Sequence, residues 1–273
     1  MGRRIETRGI RLIAVDLDGT LLTSEKRLAP EGTRRLKKAA RDGKHVVLAT
    51  TRNPDSVRPF CRTLEIDEPI ICTNGAQVWA SPDGPVWATH SIPQEAALEI
   101  ARRADRRRWE LSITVGEMTY LRQRPGQALG PVGASRTVVA SNSDAMVGEP
   151  VRILAWHPDA IDGIRRLCQS KLVGQCTTET YYRADGTVHS LGVFALGADK
   201  GTALDLVLDR LRLKPEDVMA IGDNFNDLPM FARARIGVAM SNAPDEVKRA
   251  ATAVAPSNDE EGVAWALRVY GAA

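Results

Sequence analysis

Asp16 and Asp18 stand two residues apart at the end of an apolar run, Arg11-Leu-Ile-Ala-Val-Asp-Leu17. Thr50 closes a second such run, Lys44–Thr50, and Asn74 follows a third, Pro69–Thr73. Asp223 and Asp227 follow a fourth, Val218–Ile221, far along the chain. Short continuous apolar runs of this kind suit strands buried on both faces. Open parallel sheets bind ligands at the carboxyl ends of their strands. The carboxylates therefore converge on one edge, although they come from opposite ends of the sequence. Clustered carboxylates repel unless something positive joins them. Oxygen ligands of this type suit Mg²⁺, which takes one or two carboxylates together with water and phosphate oxygens. Lys200 offers a further positive charge.

The elements that must position these residues follow from the pattern between them. Pro30–Asp42 reads as a helix, with proline near its start and Gly43 just past its end. Asn53-Pro54 opens the next helix. The order is strand, helix, strand, helix, strand, the grammar of a parallel sheet wrapped by helices. It returns after residue 200 with helix candidates at Lys200–Leu211, Asp227–Ala234, Pro244–Ala251 and Asn258–Tyr270, and strands at Val218–Ile221 and Ile236–Met240. The middle differs. Val78–Ala80 and Val86–Thr89 flank Ser81-Pro-Asp-Gly84, a hairpin signal. A helix over Gln94–Arg108 follows, then strands at Leu111–Val115 and Met118–Leu121. Gln123–Asp144 is rich in Gly, Pro and Ser and reads as a long loop. Strand, helix and strand candidates fill Val151–Leu196. The expected fold class is α/β: a Rossmann-like parallel-sheet core over 1–76 and 190–273, with an α+β cap domain (C2-type) inserted at 77–189.

Bulk properties exclude several classes. The 273 residues are 43% hydrophobic and 26% charged, enough to bury a real core in one large or two modest domains. A net charge of +3, from 37 basic and 34 acidic residues, argues for neither nucleic acid nor membrane binding. Cys61, Cys72, Cys168 and Cys176 form no CxxC pair and read as buried thiols of a reducing compartment. No apolar stretch approaches membrane-helix length, and no signal-peptide core follows the basic N-terminus, so the expected location is cytoplasmic. Nothing in the sequence speaks to oligomeric state.

Five segments resemble the haloacid dehalogenase-like phosphohydrolases, in particular the Cof-type branch with a large cap between the second and third motifs. They are Asp16-Leu-Asp-Gly-Thr-Leu-Leu22, Ala49-Thr-Thr-Arg52, Asn74-Gly-Ala76, Asp199-Lys-Gly-Thr-Ala-Leu204 and Gly222-Asp-Asn-Phe-Asn-Asp-Leu-Pro-Met230. Ser241-Asn-Ala-Pro244 and Ser257-Asn-Asp-Glu-Glu-Gly262 fit as well. One segment alone is weak evidence, but five in the family's order, spanning nearly the whole chain, are specific.

The resemblance implies a Mg²⁺-dependent phosphatase of small phosphorylated metabolites, a sugar or cofactor phosphate, working through an aspartyl-phosphate. Asp16 is the implied nucleophile. Asp18 is the implied acid for the leaving oxygen and base for water. The Asp16 carboxylate, the Asp18 backbone carbonyl and Asp223 are the implied metal ligands, with Asp227 assisting directly or through water. Thr50 and Lys200 would hold phosphoryl oxygens. Thr51, Arg52, Asn74 and Asn226 complete the implied substrate and phosphate contacts. Thr51 stands where the family usually has glycine, and a β-branched residue resists positive φ. That departure puts the role of Arg52 in question and leaves that of Thr50. The cap would close over the site, exclude water and choose the substrate.

Taken singly, each residue has a duller explanation as a turn, cap or solvated group. The joint pattern outweighs those readings. A sugar phosphomutase of the same family and a non-catalytic phospho-ligand-binding module remain alternatives, and the intact set Asp16, Asp18, Lys200 and Asp223 argues against the latter. Arg102, Arg103, Arg106, Arg107 and Arg108 read first as a solvated helix face. The four histidines show no paired spacing. Trp79, Trp87, Trp109 and Trp156 are expected in the core of the inserted domain.

Overall fold

Leu12, Ile13, Ala14 and Val15 are all fully buried, and alternate side chains enter different apolar layers. Ile13 and Val15 join one layer, Leu12 and Ala14 the other. A strand with a two-residue period can be apolar throughout only when both sheet faces are covered. The computed structural model describes residues 9–122, 135–182 and 186–271.

In chain order the elements are β1 (Leu12–Val15), α1 (Pro30–Arg41), β2 (His45–Ala49), α2 (Pro54–Leu64), β3 (Ile70–Cys72), β4 (Gln77–Trp79) and β5 (Val86–Thr89). Then come α3 (Gln94–Arg107), β6 (Leu111–Val115), β7 (Met118–Arg122), β8 (Arg136–Val139), β9 (Pro150–Ala155), α4 (Pro158–Gln169), β10 (Cys176–Tyr182) and β11 (Val188–Ala195). The last group is α5 (Lys200–Leu211), β12 (Val218–Gly222), α6 (Leu228–Phe231), β13 (Ile236–Met240), α7 (Asp245–Ala250), β14 (Ala253–Ala255) and α8 (Gly262–Val269).

The chain divides into two units. One runs to Ala88 and resumes at Asp199; the other is Thr89–Ala198. The first holds an eight-stranded sheet in the order β14-β13-β12-β1-β2-β3-β4-β5. Its strands from β14 to β3 pair in parallel. β4 runs antiparallel to β3, with Ile71 opposite Val78. On one face α1, α2 and α8 contribute Leu36, Leu64 and Leu267; on the other α5 and α6 contribute Leu204, Val207 and Phe231. This is the expected α/β core. Its sheet has more strands than the apolar runs suggested, β14 at one edge and β4 and β5 at the other, because β14 is only three residues long and the β4–β5 hairpin adds to the core.

That hairpin moves the boundaries. The sequence set the insertion at 77–189, whereas contacts divide the chain at 89 and 198. The strand after residue 76 completes the core sheet through β3, and β11 keeps the second unit intact to Ala195. Two tryptophans move with it. Trp79 packs in the first unit's core, and Trp87 packs against its other layer.

The second unit holds a six-stranded sheet, β10-β11-β9-β6-β7-β8. Ile100 of α3 and Ile164 of α4 share a core with Ile113, Ile153 and Leu191 of the sheet. Residues on alternate positions, Ser112, Thr114, Thr119, Arg152 and Ser190, are polar and buried. Of the expected loop Gln123–Asp144, residues 123–134 lie outside the described residues. Arg136–Val139 is strand β8, pairing in parallel with β7. All four cysteines are buried and free, with Cys168 and Cys176 sulfurs 3.6 Å apart. No described helix is long and apolar enough to cross a membrane.

Candidate active site

Asp16 follows the last residue of β1, and its amide donates to the Ile221 carbonyl of β12 at 3.0 Å. The parallel register Val15↔Ile221 thereby brings Asp16 alongside the Gly222-Asp223 turn. The chain then reverses through Gly19, whose φ is 83°. A side chain there would meet Asp223 Oδ2 at 2.3 Å, so only glycine allows this approach. Thr20 follows, and its hydroxyl donates to Asp223 Oδ1 at 2.8 Å.

The cation of the site comes from α5. Asp199 caps that helix, accepting from the amides of Gly201 and Thr202 at 2.8 and 2.9 Å. Capping fixes the first turn, and Lys200 at its start is fully buried. Its ammonium donates to Asp16 Oδ1 and to Asp227 Oδ1, each at 2.6 Å. Asp227 Oδ2 accepts from the amides of Asp223 and Asn224 at 2.9 and 3.0 Å. Both oxygens of Asp227 are thus engaged, and Gly222 has no room for a side chain beside its carboxylate.

Asp16, Asp223 and Asp227 each bring one carboxylate oxygen to within 4.8 Å of the others. Three carboxylates face one ammonium, so negative charge is in excess. Burial, then the neighbouring Asp16 and Asp227 charges, push the Asp223 carboxyl well above its usual range. Burial likewise pushes Asp16 up against the pull of Lys200. Lys200 is pushed up too, because the Asp16 and Asp227 charges outweigh the burial that opposes its ionisation. An all-oxygen donor set that is short of positive charge fits a hard divalent cation such as Mg²⁺. Asp16 Oδ2 and Asp223 Oδ2 carry no hydrogen bond among the described residues, which leaves them as the open ligand atoms.

Asp18 sits in a different environment. Arg52 clasps it with two bonds, Nε to Oδ2 at 2.6 Å and Nη2 to Oδ1 at 2.8 Å. Lys26 adds a third at 2.9 Å. Burial opposes ionisation of Asp18, but these two cations prevail and hold its carboxyl at about 2. Arg52 also lies 5.1 Å from the centre of the Phe60 ring.

Thr50 is fully buried, and its hydroxyl accepts the Arg52 amide at 3.2 Å. Thr51 is not among the described residues with positive φ, so its branched side chain meets no backbone conflict in place of glycine. The positive φ values fall later. Thr73, Asn74 and Gly75 have φ of 53°, 60° and 90° in succession. This turn presents Asn74 Oδ1 to Asn226 Nδ2 at 2.9 Å, so those two residues form a buried pair.

The structure therefore gathers Asp16, Lys200, Asp223 and Asp227 in one network, pairs Asp18 with Arg52, and pairs Asn74 with Asn226. Sequence reasoning missed Thr20 and Lys26. Thr20 lies within the first motif and was open to notice; Lys26 carries no local signal. It also gave no role to two matching segments, which brace the turn after Asp18. Asn242 donates to the Gly19 carbonyl at 2.9 Å, Asn258 to the Leu22 carbonyl at 2.8 Å, and Asp259 accepts from Ser24. Glu261 accepts the amides of Glu31 and Gly32, capping α1.

Comparison with known proteins gives this geometry its context. A family model described as haloacid dehalogenase-like hydrolase matches residues 13–267. A 5-amino-6-(5-phospho-D-ribitylamino)uracil phosphatase of Bacillus subtilis is 27% identical over 261 residues, 95% of each chain. A phosphoglycolate phosphatase of Methanopyrus kandleri is 30% identical over 258 residues, 94% of this chain and 95% of the other. The crystal structure of a haloacid dehalogenase-like hydrolase from Bacteroides thetaiotaomicron superimposes with a TM-score of 0.81 at 25% identity, covering 94% of this chain and 98% of that one.

Proposed function

The chain belongs to the haloacid dehalogenase-like hydrolases, and from that premise we propose that it is a Mg²⁺-dependent phosphatase of small phosphorylated metabolites with Asp16 as nucleophile. The observation that carries the reading is the buried Lys200 shared by Asp16 and Asp227 beside an under-neutralised carboxylate group. The phosphatases of Bacillus subtilis and Methanopyrus kandleri support the substrate class through their own small phosphate esters.

In this reading an Asp16 carboxylate oxygen attacks phosphorus, and the bond from phosphorus to the ester oxygen breaks. Asp18 gives a proton to the departing oxygen. Asp18 then takes a proton from water, the water oxygen attacks phosphorus, and the bond to Asp16 breaks to release inorganic phosphate. The ionised Asp18 suits the second half directly. The first half needs a protonated Asp18, so the Arg52 clasp must loosen, and a substrate anion competing for the guanidinium would do that. Lys200 and the Thr50 hydroxyl hold phosphoryl oxygens. Asp227 keeps Lys200 and the Asp223 amide in position. Asp16, Asp223 and the Asp18 carbonyl would hold Mg²⁺, which when bound supplies positive charge that lets one anion approach another.

The test is phosphate release from p-nitrophenyl phosphate and a panel of phosphorylated metabolites, with Mg²⁺ and with chelator. Release should require the metal and should be lost in Asp16→Asn. Interconversion of isomeric sugar phosphates with negligible phosphate release would favour the mutase alternative instead.

A further inference from the structure

Arg102, Arg103, Arg106 and Arg107 close α3, Arg108 caps it in a left-handed conformation, and the phosphatase reading gives none of them a role. Elsewhere in the chain arginines sit on carboxylates: Arg34 on Glu31, Arg58 on Asp55, Arg165 on Asp162 and Arg233 on Asp205. None of these five pairs with a carboxylate among the described residues. Spacing sets Arg102 against Arg106 and Arg103 against Arg107, like charges that oppose a helix. Attraction to the negative end of the helix offsets this only within the last turn. Unpaired guanidinium groups are strong donors for phosphate oxygens.

The run ends in a groove of about 420 Å³ that lies wholly within Thr89–Ala198. Arg107 and Arg108 line it from the end of α3, and Trp156 and His157 from the entry to α4. Trp156 is 41% exposed, an indole left bare beside unpaired cations. Glu110 and Asp159 also line the groove. The amide of Asp159 is already taken by His157 Nδ1 at 3.3 Å, so the start of α4 is not itself the attraction.

The mixed lining selects among anions. A simple inorganic anion in the groove would meet two carboxylates as well as two guanidinium groups. A ligand with its anion at one end and amino donors at the other satisfies both. An aromatic ring between those ends would cover the bare indole, as bases do on aromatic side chains. We propose that this groove is a second ligand site that binds a nucleoside monophosphate, with its phosphate on Arg107 and Arg108, its base on Trp156, and an exocyclic amino group of the base on Asp159. The site shares no residue with the carboxylate group around Asp16.

The test is calorimetric binding to the full chain carrying Asp16→Asn, in chelator, so that no turnover consumes the probe. AMP should bind more tightly than UMP, whose base has no exocyclic amino group, and more tightly than adenosine or inorganic phosphate alone. Trp156→Ala should weaken AMP about tenfold or more, the range of one lost base stack, while Trp156→Phe retains most of the affinity. Arg107→Gln with Arg108→Gln should weaken AMP and flatten its salt dependence. Arg52→Ala, in the other unit, should leave AMP binding unchanged. The proposal is overturned if AMP does not bind, if phosphate binds as tightly as AMP, or if Arg52→Ala removes binding that Trp156→Ala keeps.

Discussion

Lys200 and Asp16 stand 184 residues apart in the chain and 2.6 Å apart in the structure, in an ion pair whose ammonium never reaches solvent. The pair exists because β1 and β12 are neighbours in one sheet and because Asp199 fixes the start of α5. Removing the cation leaves Asp16 and Asp227 facing each other without compensation. Lys200→Met should therefore cost about 3–5 kcal/mol of stability, as for other broken buried pairs. It should also lower turnover by roughly 10²-fold or more, since a donor aimed at developing charge is lost. Chemical unfolding and phosphate release measure the two effects. A Lys200→Met protein with wild-type stability would show that the buried pair contributes nothing net.

The carboxylate excess predicts how stability responds to metal. Only the folded chain gathers Asp16, Asp223 and Asp227, so a divalent cation should bind the folded state and raise its stability. The gain is about 2.7 kcal/mol at a hundredfold excess over Kd. Asp223→Asn removes a repelling charge but keeps an oxygen for the Thr20 hydroxyl. In chelator it should match or exceed the wild type; in Mg²⁺ the wild type should pull ahead. Thermal unfolding of both proteins under both conditions decides this, and an equal Mg²⁺ shift in the two would remove Asp223 from the ligand set.

Asp16 and Asp18 should separate by leaving group. Asp18→Asn keeps the nucleophile and loses the proton carrier, worth roughly 10²–10⁴-fold on an alkyl phosphate. An aryl phosphate has a leaving group that needs no protonation and should suffer less in the first half-reaction. The comparison is kcat/KM on both esters for the wild type and the variant. Equal losses would count against Asp18 as the acid.

The carboxylate group at the strand ends is more legible in the sequence than its supports. Asp16, Asp18, Thr50, Asn74 and Asp223 all close apolar runs, and strand ends on one sheet edge converge, so the approach of Asp16 to Asp223 follows from pattern alone. Lys200–Leu211 carried its own cap and periodicity and forms over those residues. The β4–β5 hairpin was assigned to the wrong unit because a hairpin signal fixes a turn, not the sheet it joins. Strand β14 is three residues long, too short for any period to show. The helix expected over Asn258–Tyr270 breaks at Glu261, φ 60°, which turns to cap α1, a contact with no local signature. The Asp18–Arg52 clasp depends on the loop after β2 and is likewise invisible in spacing.

Asp105 offers a check on the inserted unit. Its carboxylate accepts from the Asn142 amide at 2.7 Å, the Asn142 side chain at 2.9 Å, the Ser143 amide at 3.0 Å and the Ser143 hydroxyl at 2.7 Å. Burial works against its ionisation, but these donors prevail and lower its folded value. A lowered folded value means the stabilisation is complete above the unfolded value, about 3.9, and is lost as pH falls through the folded one. Asp105→Asn turns an amino group toward one pair of donors and should cost about 1–3 kcal/mol at neutral pH. The gap between wild type and variant should hold down to about pH 4 and narrow below it. A gap that stays constant in acid would mean that the charge of Asp105 is not what the loop requires.

Gly75 tests whether the turn after β3 sets the position of Lys200. With φ at 90°, any side chain there pays for a left-handed backbone, about 1–2 kcal/mol. A Cβ at Gly75 would also lie 2.2 Å from the Asp199 carbonyl oxygen and 2.9 Å from the Lys200 amide, both backbone atoms that cannot rotate away. The start of α5 must therefore shift, and the ammonium 2.6 Å from Asp16 shifts with it. Gly43 is the control. Its φ is 82°, nearly the same, but nothing lies within 4 Å of its Cβ position. Gly43→Ala should show the backbone cost alone and keep full turnover. Gly75→Ala should lose more stability than Gly43→Ala and should lower kcat by about tenfold or more, since small misplacement of a catalytic group is costly. Unfolding and phosphate release on both variants give the comparison. Equal turnover in the two would show that α5 holds Lys200 in place without help from the Thr73–Gly75 turn.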